Sequence, residues 1–387
     1  MEKAGCRVKA NPERYHGHVS NVIIVGAGII GSAIAWRLAQ AGVRVALIDA
    51  AQMGSEASWA GAGMLAPGGE FGGRSHWARF AVESLDLYPE FVAELAAETS
   101  RTIDFRQSGA LEIPQSGEDW SALLEKAETQ RSLGIPSTRT DRGLFYPRDA
   151  SVDPRDVMAA LRCACLACGV KLIEHTPVLR IEASGNTVRA TTSAGVFEAA
   201  AGVLAAGAWS SRIPCFHDHV DLRLPECFPV KGHLLGYRMA PGSLPAILRS
   251  GHTYILQRST GFTIAGSSTE HAGFDRAIDT AIVADIRARA GRLWPALSQA
   301  GEPEIWCGFR PGTVEHPVIG QHPGTRLWLA YGHYRNGILM APATAALVVE
   351  QIIAGKSAAG KSAAGKSADG QVTSRAETDS ASPGGNR

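Results

Sequence analysis

The stretch that decides the fold is Asn21–Ala50, NVIIVGAGIIGSAIAWRLAQAGVRVALIDA. Val22 to Val25 form a short continuous apolar run, as a strand buried on both faces requires. Gly26-Ala27-Gly28-Ile29-Ile30-Gly31 follows, and its three glycines have separate physical roles. Gly26 permits a tight turn, Gly28 lets the backbone approach a pyrophosphate, and Gly31 lets the helix pack close to the strand. Ala33, Trp36, Leu38 and Ala41 recur near helical spacing, Gly42 is a natural helix stop, and Val43–Ile48 reads as the next strand. The whole is one βαβ unit of about 30 residues. Its helix start offers unpaired N–H groups and a positive dipole end to phosphates. Asp49 ends the second strand, 23 residues beyond Gly26, where a carboxylate can accept ribose hydroxyls. The unit predicts a doubly wound α/β domain that binds a dinucleotide, and by itself it does not separate FAD from NAD.

The next segment, Gly54–Pro67 (GSEASWAGAGMLAP), consists largely of small residues. An NAD-binding domain normally continues into a helix here, whereas a small-residue loop suits a backbone lying against a flat ring system. An ordinary Gly/Ala/Ser loop has the same composition, so the residues alone leave both readings open. Further along, 75–100 and 117–133 read as helices, and 103–113 reads as a hairpin turning at Ser108-Gly109. Asp153 caps a helix that has Pro154 in its first turn. Strand-like runs fill 170–205, 228–270 and 303–332; 279–298 reads as helical, and a last helix spans Pro342 to Ile353.

Composition sets the bounds. A chain of 387 residues predicts two to three domains at roughly 150 residues each. Its 45% apolar and 19% charged residues exclude a disordered chain, a collagen-like fibre and a disulfide-dense miniprotein. A net charge of +1 provides no global field toward nucleic acid or an anionic membrane. Seven irregularly spaced cysteines fit reduced thiols and a cytoplasmic setting. Residues 1–20 lack the apolar run of a signal peptide and read as a disordered extension. No uninterrupted apolar run reaches roughly 20 residues, so no integral membrane segment is expected. AGKSA occurs three times over 354–368, and a Ser/Gly/charged run continues to Arg387, so 354–387 reads as a disordered low-complexity tail. GKSAAGKS at 355–362 imitates a phosphate loop, but it is a by-product of the repeat and follows a helix rather than a strand. Cys163, Cys165 and Cys168, at offsets of two and five, splay around a helix, and no metal site is expected.

Eight stretches cover nearly all of 21–353 in order: VIIVGAGIIGSAIAWRLAQAGVRVALID, ASWAGAGMLAP, VDPRDVMAAL, TPVLRIE, VLAAGAWS, PVKGHLL, GFRPGTVEHPVIG and GHYRNGILMAPATA. Through them the chain resembles the D-amino-acid oxidase (DAO) superfamily of FAD-dependent oxidoreductases. Within it, GFRPGT and GHYRNGIL resemble the glycine oxidase branch of ThiO type. The resemblance implies a Rossmann-like, GR2-type FAD-binding domain from 21–90, 150–225 and 315–353. It implies a second, α+β substrate-binding domain from 91–149 and 226–314, built on an antiparallel sheet. It also implies non-covalent FAD, because Cys307 falls beside the position at which related sarcosine oxidases attach their flavin, not on it.

The same resemblance implies roles for single residues. Arg310, in GFRP, would grip the substrate carboxylate, and a planar guanidinium suits that task through two parallel charge-assisted hydrogen bonds. Tyr254 would assist, Arg335 would stand near flavin and substrate, and His252 would reach the same pocket. Cofactor contacts would come from Gly26, Ala27, Gly28, Ile29, Ile30 and Gly31, from Asp49 and Ala50, and from Ser58, Ala60, Gly61 and Met64 in the small-residue loop. Val178 would meet the adenine, Ala206 and Gly207 the pyrophosphate, with Trp209 beside them. His333, Arg335, Asn336, Gly337, Ile338 and Leu339 would meet the carbonyl end of the flavin ring.

The implied activity is oxidative deamination of glycine, and of sarcosine or small D-amino acids, by hydride transfer to flavin N5. Dioxygen would be reduced to hydrogen peroxide, glyoxylate and ammonia would be released, and the glycine imine would supply thiamine thiazole biosynthesis. The chemistry is the cofactor's, so no side-chain acid or base is assigned. A D-amino-acid oxidase or secondary-amine oxidase, an FAD-dependent amino-acid dehydrogenase of the same fold, and a non-catalytic flavin scaffold stay open as alternatives. The expected partners are a small amino acid and O2, with no nucleic acid, and a homotetramer by resemblance. Truncation after Gly355 is expected to leave the melting temperature and activity unchanged, because 356–387 lack core-forming residues. Loss of cooperative unfolding in that shortened chain would contradict this reading.

Overall fold

In the computed structural model, which describes residues 20–115, 117–314 and 316–364, the opening segment folds as β1 (Ser20–Val25), α1 (Ile29–Gln40) and β2 (Val45–Ile48). β1 and β2 pair in parallel from Val22↔Val45 to Val25↔Ile48. Val22–Val25 and all of β2 are buried, as expected of strands covered on both faces. Gly26 has φ +105°, and a Cβ there would run into the Ala205 carbonyl. A Cβ on Gly31 would run into the Gly26 carbonyl, so α1 lies on the turn at backbone contact.

β1 is central to a ten-stranded sheet. On one side of it lie β2 and Lys171–Ile173, both parallel. On its other side lies Gly195–Leu204, parallel over Ser20↔Ala199 to Val25↔Leu204. The far edge of Gly195–Leu204 forks. Its first half pairs antiparallel with Thr187–Thr192, and its second half pairs parallel with Leu327–Tyr331. The ten residues up to Leu204 thus form one strand before the turn at Gly207.

A second, eight-stranded sheet runs from Glu304–Gly312 through Phe228–Arg238, Phe262–Gly266, Thr253–Gln257 and Ile247–Ser250 to Ala110–Glu112, Leu144–Tyr146 and Thr138–Arg139. All its pairs are antiparallel except Ile247–Ser250 with Ala110–Glu112. The expected hairpin over 103–113 does not form. Phe105–Arg106 pairs with Ala150–Val152 in a small three-stranded sheet, while Ala110–Glu112 joins the eight-stranded one. Gly109, at φ +75°, turns the chain from one sheet to the other. Strands of the first sheet come from 20–48, 171–221 and 318–331, and those of the second from 110–146 and 228–312.

The helix His76–Thr99 is capped by Ser75, whose Oγ accepts the Ala78 N–H. It packs on α1, with Trp36 edge-on to Phe91 at 5.6 Å and the indole N–H donating to Glu98. It also grips the last helix, Gly337–Ala364, which starts earlier than the sequence pattern suggests and carries Pro342 inside it. Pro342 has no N–H for the Ile338 carbonyl. Tyr88 Oη donates to that carbonyl instead, at 3.1 Å. Ser84 Oγ donates to the Leu339 carbonyl and accepts the Ala343 N–H.

The span Tyr334–Gly355 is long and apolar enough to cross a membrane, although the sequence holds no uninterrupted apolar run of that length, and half of it is buried inside the protein. Residues to Gln351 form one unit, and a second begins at Ile352, helical to Ala364. The helix therefore extends into the AGKSA repeats, where the sequence pattern predicts disorder from 354. Residues 1–19 and 365–387 of the expected disordered segments lie outside the described residues.

The second sheet is tied to the small one by a buried guanidinium. Arg249 donates from Nη1 to Asp149 at 2.5 Å and from Nε to Glu112 at 3.2 Å, and lies over the Tyr146 ring. Burial raises the Asp149 carboxyl above its ordinary range, with Arg249 opposing the shift. Arg249→Ala would deprive the buried Asp149 carboxyl of its cation, at a cost of about 3–5 kcal/mol. Urea unfolding is expected to show a midpoint lowered accordingly, and an unchanged midpoint would contradict that.

Candidate functional site

A cavity of about 550 Å³ opens at the end of β1 and is lined from both large sheets. Its floor is the glycine turn. Gly26 and the first turn of α1, Gly28 to Ile30, line it. First-turn amides have no acceptor within their own helix. One of them, Ile29 N–H, donates to Ser58 Oγ at 2.9 Å. The other first-turn donors remain for an anion. A Cβ on Gly28 would stand 3.3 Å from Ser58 Oγ, so glycine keeps this approach open.

Asp49 and Ala50 line the same end. The Asp49 carboxylate accepts Ala27 N–H at 2.6 Å and Ala51 N–H at 2.8 Å. Burial raises its pKa above the ordinary carboxylate value, while the Ala51 and Ala27 amides hold it down. A carboxylate has about four acceptor positions, so two remain for hydroxyls. Asp49 thus fixes the glycine turn and serves the cavity at once. Val178, Ala206, Gly207 and Trp209 complete this end.

The small-residue loop forms the adjoining wall through Ser58, Ala60, Gly61 and Met64. It contains one short helical turn, Ala57–Ala60, and is pinned from the second sheet. Trp306 Nε1 donates to the Ala60 carbonyl at 2.9 Å, and Arg258 donates to the Ala62 carbonyl. A Cβ on Gly308 would strike Ala60, so the loop and the second sheet meet at close range. His333, Arg335, Asn336, Gly337 and Ile338 also line the cavity, and Ile338 stands beside Gly61 of the small-residue loop. Burial pushes the His333 imidazole down to about 3, and its Nε2 is paired with Thr344 at 3.1 Å.

The second sheet contributes Arg310 and Tyr254. Arg310 lies on Glu304–Gly312, opposite Val230, and its guanidinium occupies the space that a Cβ on Gly232 would fill. Nη1 donates to the carbonyls of Ser268 at 3.1 Å and Lys231 at 3.4 Å, and Nη2 donates to Ser267 Oγ at 2.9 Å. No carboxylate of the described residues pairs with it. Burial lowers its pKa, and the nearby Arg335 adds to that. Tyr254 is buried beside it, with its phenol raised by burial and lowered by Arg310 and Arg335. A raised phenol is in its protonated form at neutral pH, so it can donate a hydrogen bond to an anion. Arg335 is already paired, with Nη2 3.0 Å from Glu70 Oε1.

Some expected residues fall elsewhere. Ala27 and Gly31 lie behind the turn, because they make the turn and its helix contact rather than the surface above it. Leu339 is buried in the core, and its carbonyl is taken by Ser84. His252 is exposed on the turn before Thr253–Gln257 and does not line the cavity. Cys307 does not line it either, and its Sγ faces the Arg276 carbonyl. Sequence reasoning missed Glu70, Ser267 and the Glu56–Arg276 pair at 2.7 Å, all on the cavity wall. Glu56 sits in the small-residue segment and Glu70 ends the short helix Pro67–Glu70, but no spacing rule links either acid to its partner.

A cavity with helix-start donors and a carboxylate at one end, a flat small-residue wall and a cationic far end fits FAD. Comparison with known proteins agrees. The family profile described as DAO, FAD dependent oxidoreductase, matches residues 21–351. The chain is 33% identical to glycine oxidase of Geobacillus kaustophilus, over 87% of this chain and 93% of that protein. It is 34% identical to the bifunctional protein ThiO/ThiG of Synechocystis, over 87% of this chain and 52% of that longer protein. The crystal structure of the Geobacillus kaustophilus glycine oxidase superposes with a TM-score of 0.81 at 31% identity, covering 87% of this chain and 95% of that one.

Asp49→Asn keeps the size of the side chain but removes its charge and one acceptor. Such a loss costs about 1.5 kcal/mol, roughly tenfold in affinity. Refilling the stripped protein with FAD is expected to show a dissociation constant raised by about that factor. An unchanged constant would remove Asp49 from the binding of the dinucleotide.

Proposed function

The chain belongs to the DAO family of FAD-dependent oxidoreductases, and on that premise we propose that it is a glycine oxidase: glycine, O2 and water yield glyoxylate, ammonia and hydrogen peroxide. When bound, FAD supplies the acceptor for the Cα hydride and the route by which its electrons reach dioxygen. The protein's share is to bind, orient and exclude water.

One observation carries the reading. Arg310 presents a guanidinium to the cavity with no acidic partner among the described residues. A half-buried guanidinium without a counter-ion is poorly compensated, and a substrate carboxylate supplies the missing partner. The Tyr254 phenol, kept neutral by burial, adds a donor to the same oxygen pair. Arg335, already neutralised by Glu70, shapes the wall instead of competing for the substrate. With the carboxylate gripped from the second sheet, Cα and the amine extend toward the small-residue wall.

Each carboxylate on the cavity wall already has a partner. Asp49 is held by two amides, Glu56 by Arg276 and Glu70 by Arg335. His333, pushed down to about 3, is a poor base. Glycine therefore arrives with its amine deprotonated, and no side chain removes a proton from carbon. The likeness to the ThiO/ThiG protein supports the further reading that the glycine imine passes into thiamine thiazole synthesis. Sarcosine and small D-amino acids share the carboxylate that Arg310 would hold, and FAD is held without a covalent bond.

The test is an anaerobic titration of the FAD-loaded protein with glycine, sarcosine and D-alanine, followed by air and a peroxide assay. Bleaching by glycine with peroxide formed on reoxidation is expected. A yellow protein that none of the three bleaches would overturn the proposal. Arg310→Ala is expected to retain FAD while kcat/KM for glycine falls at least about 100-fold, the effect of removing one partner of a buried charge pair. Unchanged efficiency would refute its role.

A further inference from the structure

Lys231, His233, Ser268 and Glu270 are clustered next to Arg310, and none of them lines the cavity. We propose that His233, Ser268 and Glu270 are positioning residues: their hydrogen-bond network sets the angle of the Arg310 guanidinium and so the strength of its grip on the substrate carboxylate. The proposal rests on the carboxylate role given to Arg310 above.

His233 is fully buried on Phe228–Arg238, and it pairs with Cys307 on the strand that carries Arg310. Its Nε2 lies 3.2 Å from the Asp279 N–H. A backbone amide can only donate, so Nε2 is the acceptor and the ring proton sits on Nδ1. Nδ1–H donates to Glu270 Oε1 at 2.7 Å. The Ser268 hydroxyl donates to the same Oε1, and its oxygen accepts the His233 backbone N–H at 2.8 Å. The backbones of Glu270 and Lys231 exchange two further bonds, at 2.9 and 3.0 Å. One carboxylate oxygen thereby fixes both the imidazole and the Ser268 side chain.

Two of the three groups that hold the Arg310 fork, the Ser268 carbonyl and the Ser267 hydroxyl, belong to this pinned segment, and the third is the Lys231 carbonyl. The Lys231 ammonium is buried, donates to the Ala277 carbonyl and stands 4.0 Å from Glu270 Oε2, so the Glu270 carboxylate has a cation beside it. A bidentate grip depends on the plane of the guanidinium. Satisfied buried networks of this kind hold their members rigidly. Loosening the segment would let the fork rotate without removing its charge.

The experiment uses the FAD-loaded protein and three readouts: the dissociation constant of acetate from the flavin absorbance change, KM and kcat for glycine, and the melting temperature. Acetate carries the carboxylate without the amine. Glu270→Ala removes both bonds to Oε1 and is expected to raise the acetate constant and KM about tenfold while kcat changes less than about threefold, a weakening of the Arg310 grip equal to one hydrogen bond to a charged group. Glu270→Gln keeps an oxygen acceptor at the same place and is expected to stay within about threefold of the parent. A folded Glu270→Ala protein with parental acetate affinity would overturn the proposal, as would a Glu270→Gln protein as weak as Glu270→Ala. If Glu270→Ala fails to fold, Ser268→Ala serves, because it keeps the carbonyl and loses the hydroxyl. A threefold weaker grip is then expected, and none at all overturns the proposal. Arg310→Ala with undiminished acetate affinity is a different failure, since it would sink the role of Arg310 itself.

Discussion

Backbone meets backbone at the end of β1. The Gly26 Cα occupies a place where any side chain would enter the Ala205 carbonyl, and Gly31 lies against the Gly26 carbonyl in the same way. That double contact fixes where α1 starts, and the start of α1 is the floor of the cavity. It also brings Gly195–Leu204, which ends at the turn, alongside β1. Asp49 locks the arrangement by taking the Ala27 amide from the neighbouring strand end. Helix, turn and carboxylate are therefore set by one steric condition, met by residues that have no side chain to offer.

The opposite end of the cavity follows a different logic, that of how each cation is paired. Arg310 and Arg335 both face the space, but only one has an acid of its own. The contrast assigns them different work: Glu70 neutralises Arg335, whereas Arg310 is braced by two carbonyls and one hydroxyl that orient it without satisfying its charge. Between the two ends runs the small-residue loop, held from the second sheet by Trp306 and Arg258. Large side chains there would separate the sheets, so its composition reflects a close-packed seam as much as a flat ligand.

Much of the first end was legible in the residues. The apolar run, the glycine spacing and the terminal acid are local signals within thirty positions, and the resemblance to known flavoproteins supplied Arg310 and Tyr254. The hairpin expected over 103–113 failed because local alternation marks a strand but not the sheet it joins, and Gly109 sends its two halves to different sheets. His252 failed because one residue decides whether a side chain sits in a turn or on the strand after it. Ala27, Gly31 and Leu339 belong to the motifs yet face the core, since a motif records the residues that build a surface as well as those that present it. The network of His233, Ser268 and Glu270 and the pair of Arg335 with Glu70 were not legible. Apart from the local bond between Ser268 and Glu270, those contacts cross 35 to 265 positions, and no periodicity encodes them.

The joint at Pro342 carries a mechanical consequence. A helix normally suspends its first carbonyls from its own later amides, but here Ile338 and Leu339 hand theirs to Tyr88 and Ser84 on a separate helix. The wall formed by His333 to Ile338 is therefore moored sideways, like a shelf on brackets, to a helix whose own residues never touch the cavity. Drift in the outer helix translates into drift of that shelf. The hydroxyls at 84 and 88 are thus constrained by ligand geometry, although their place in the chain would suggest ordinary packing.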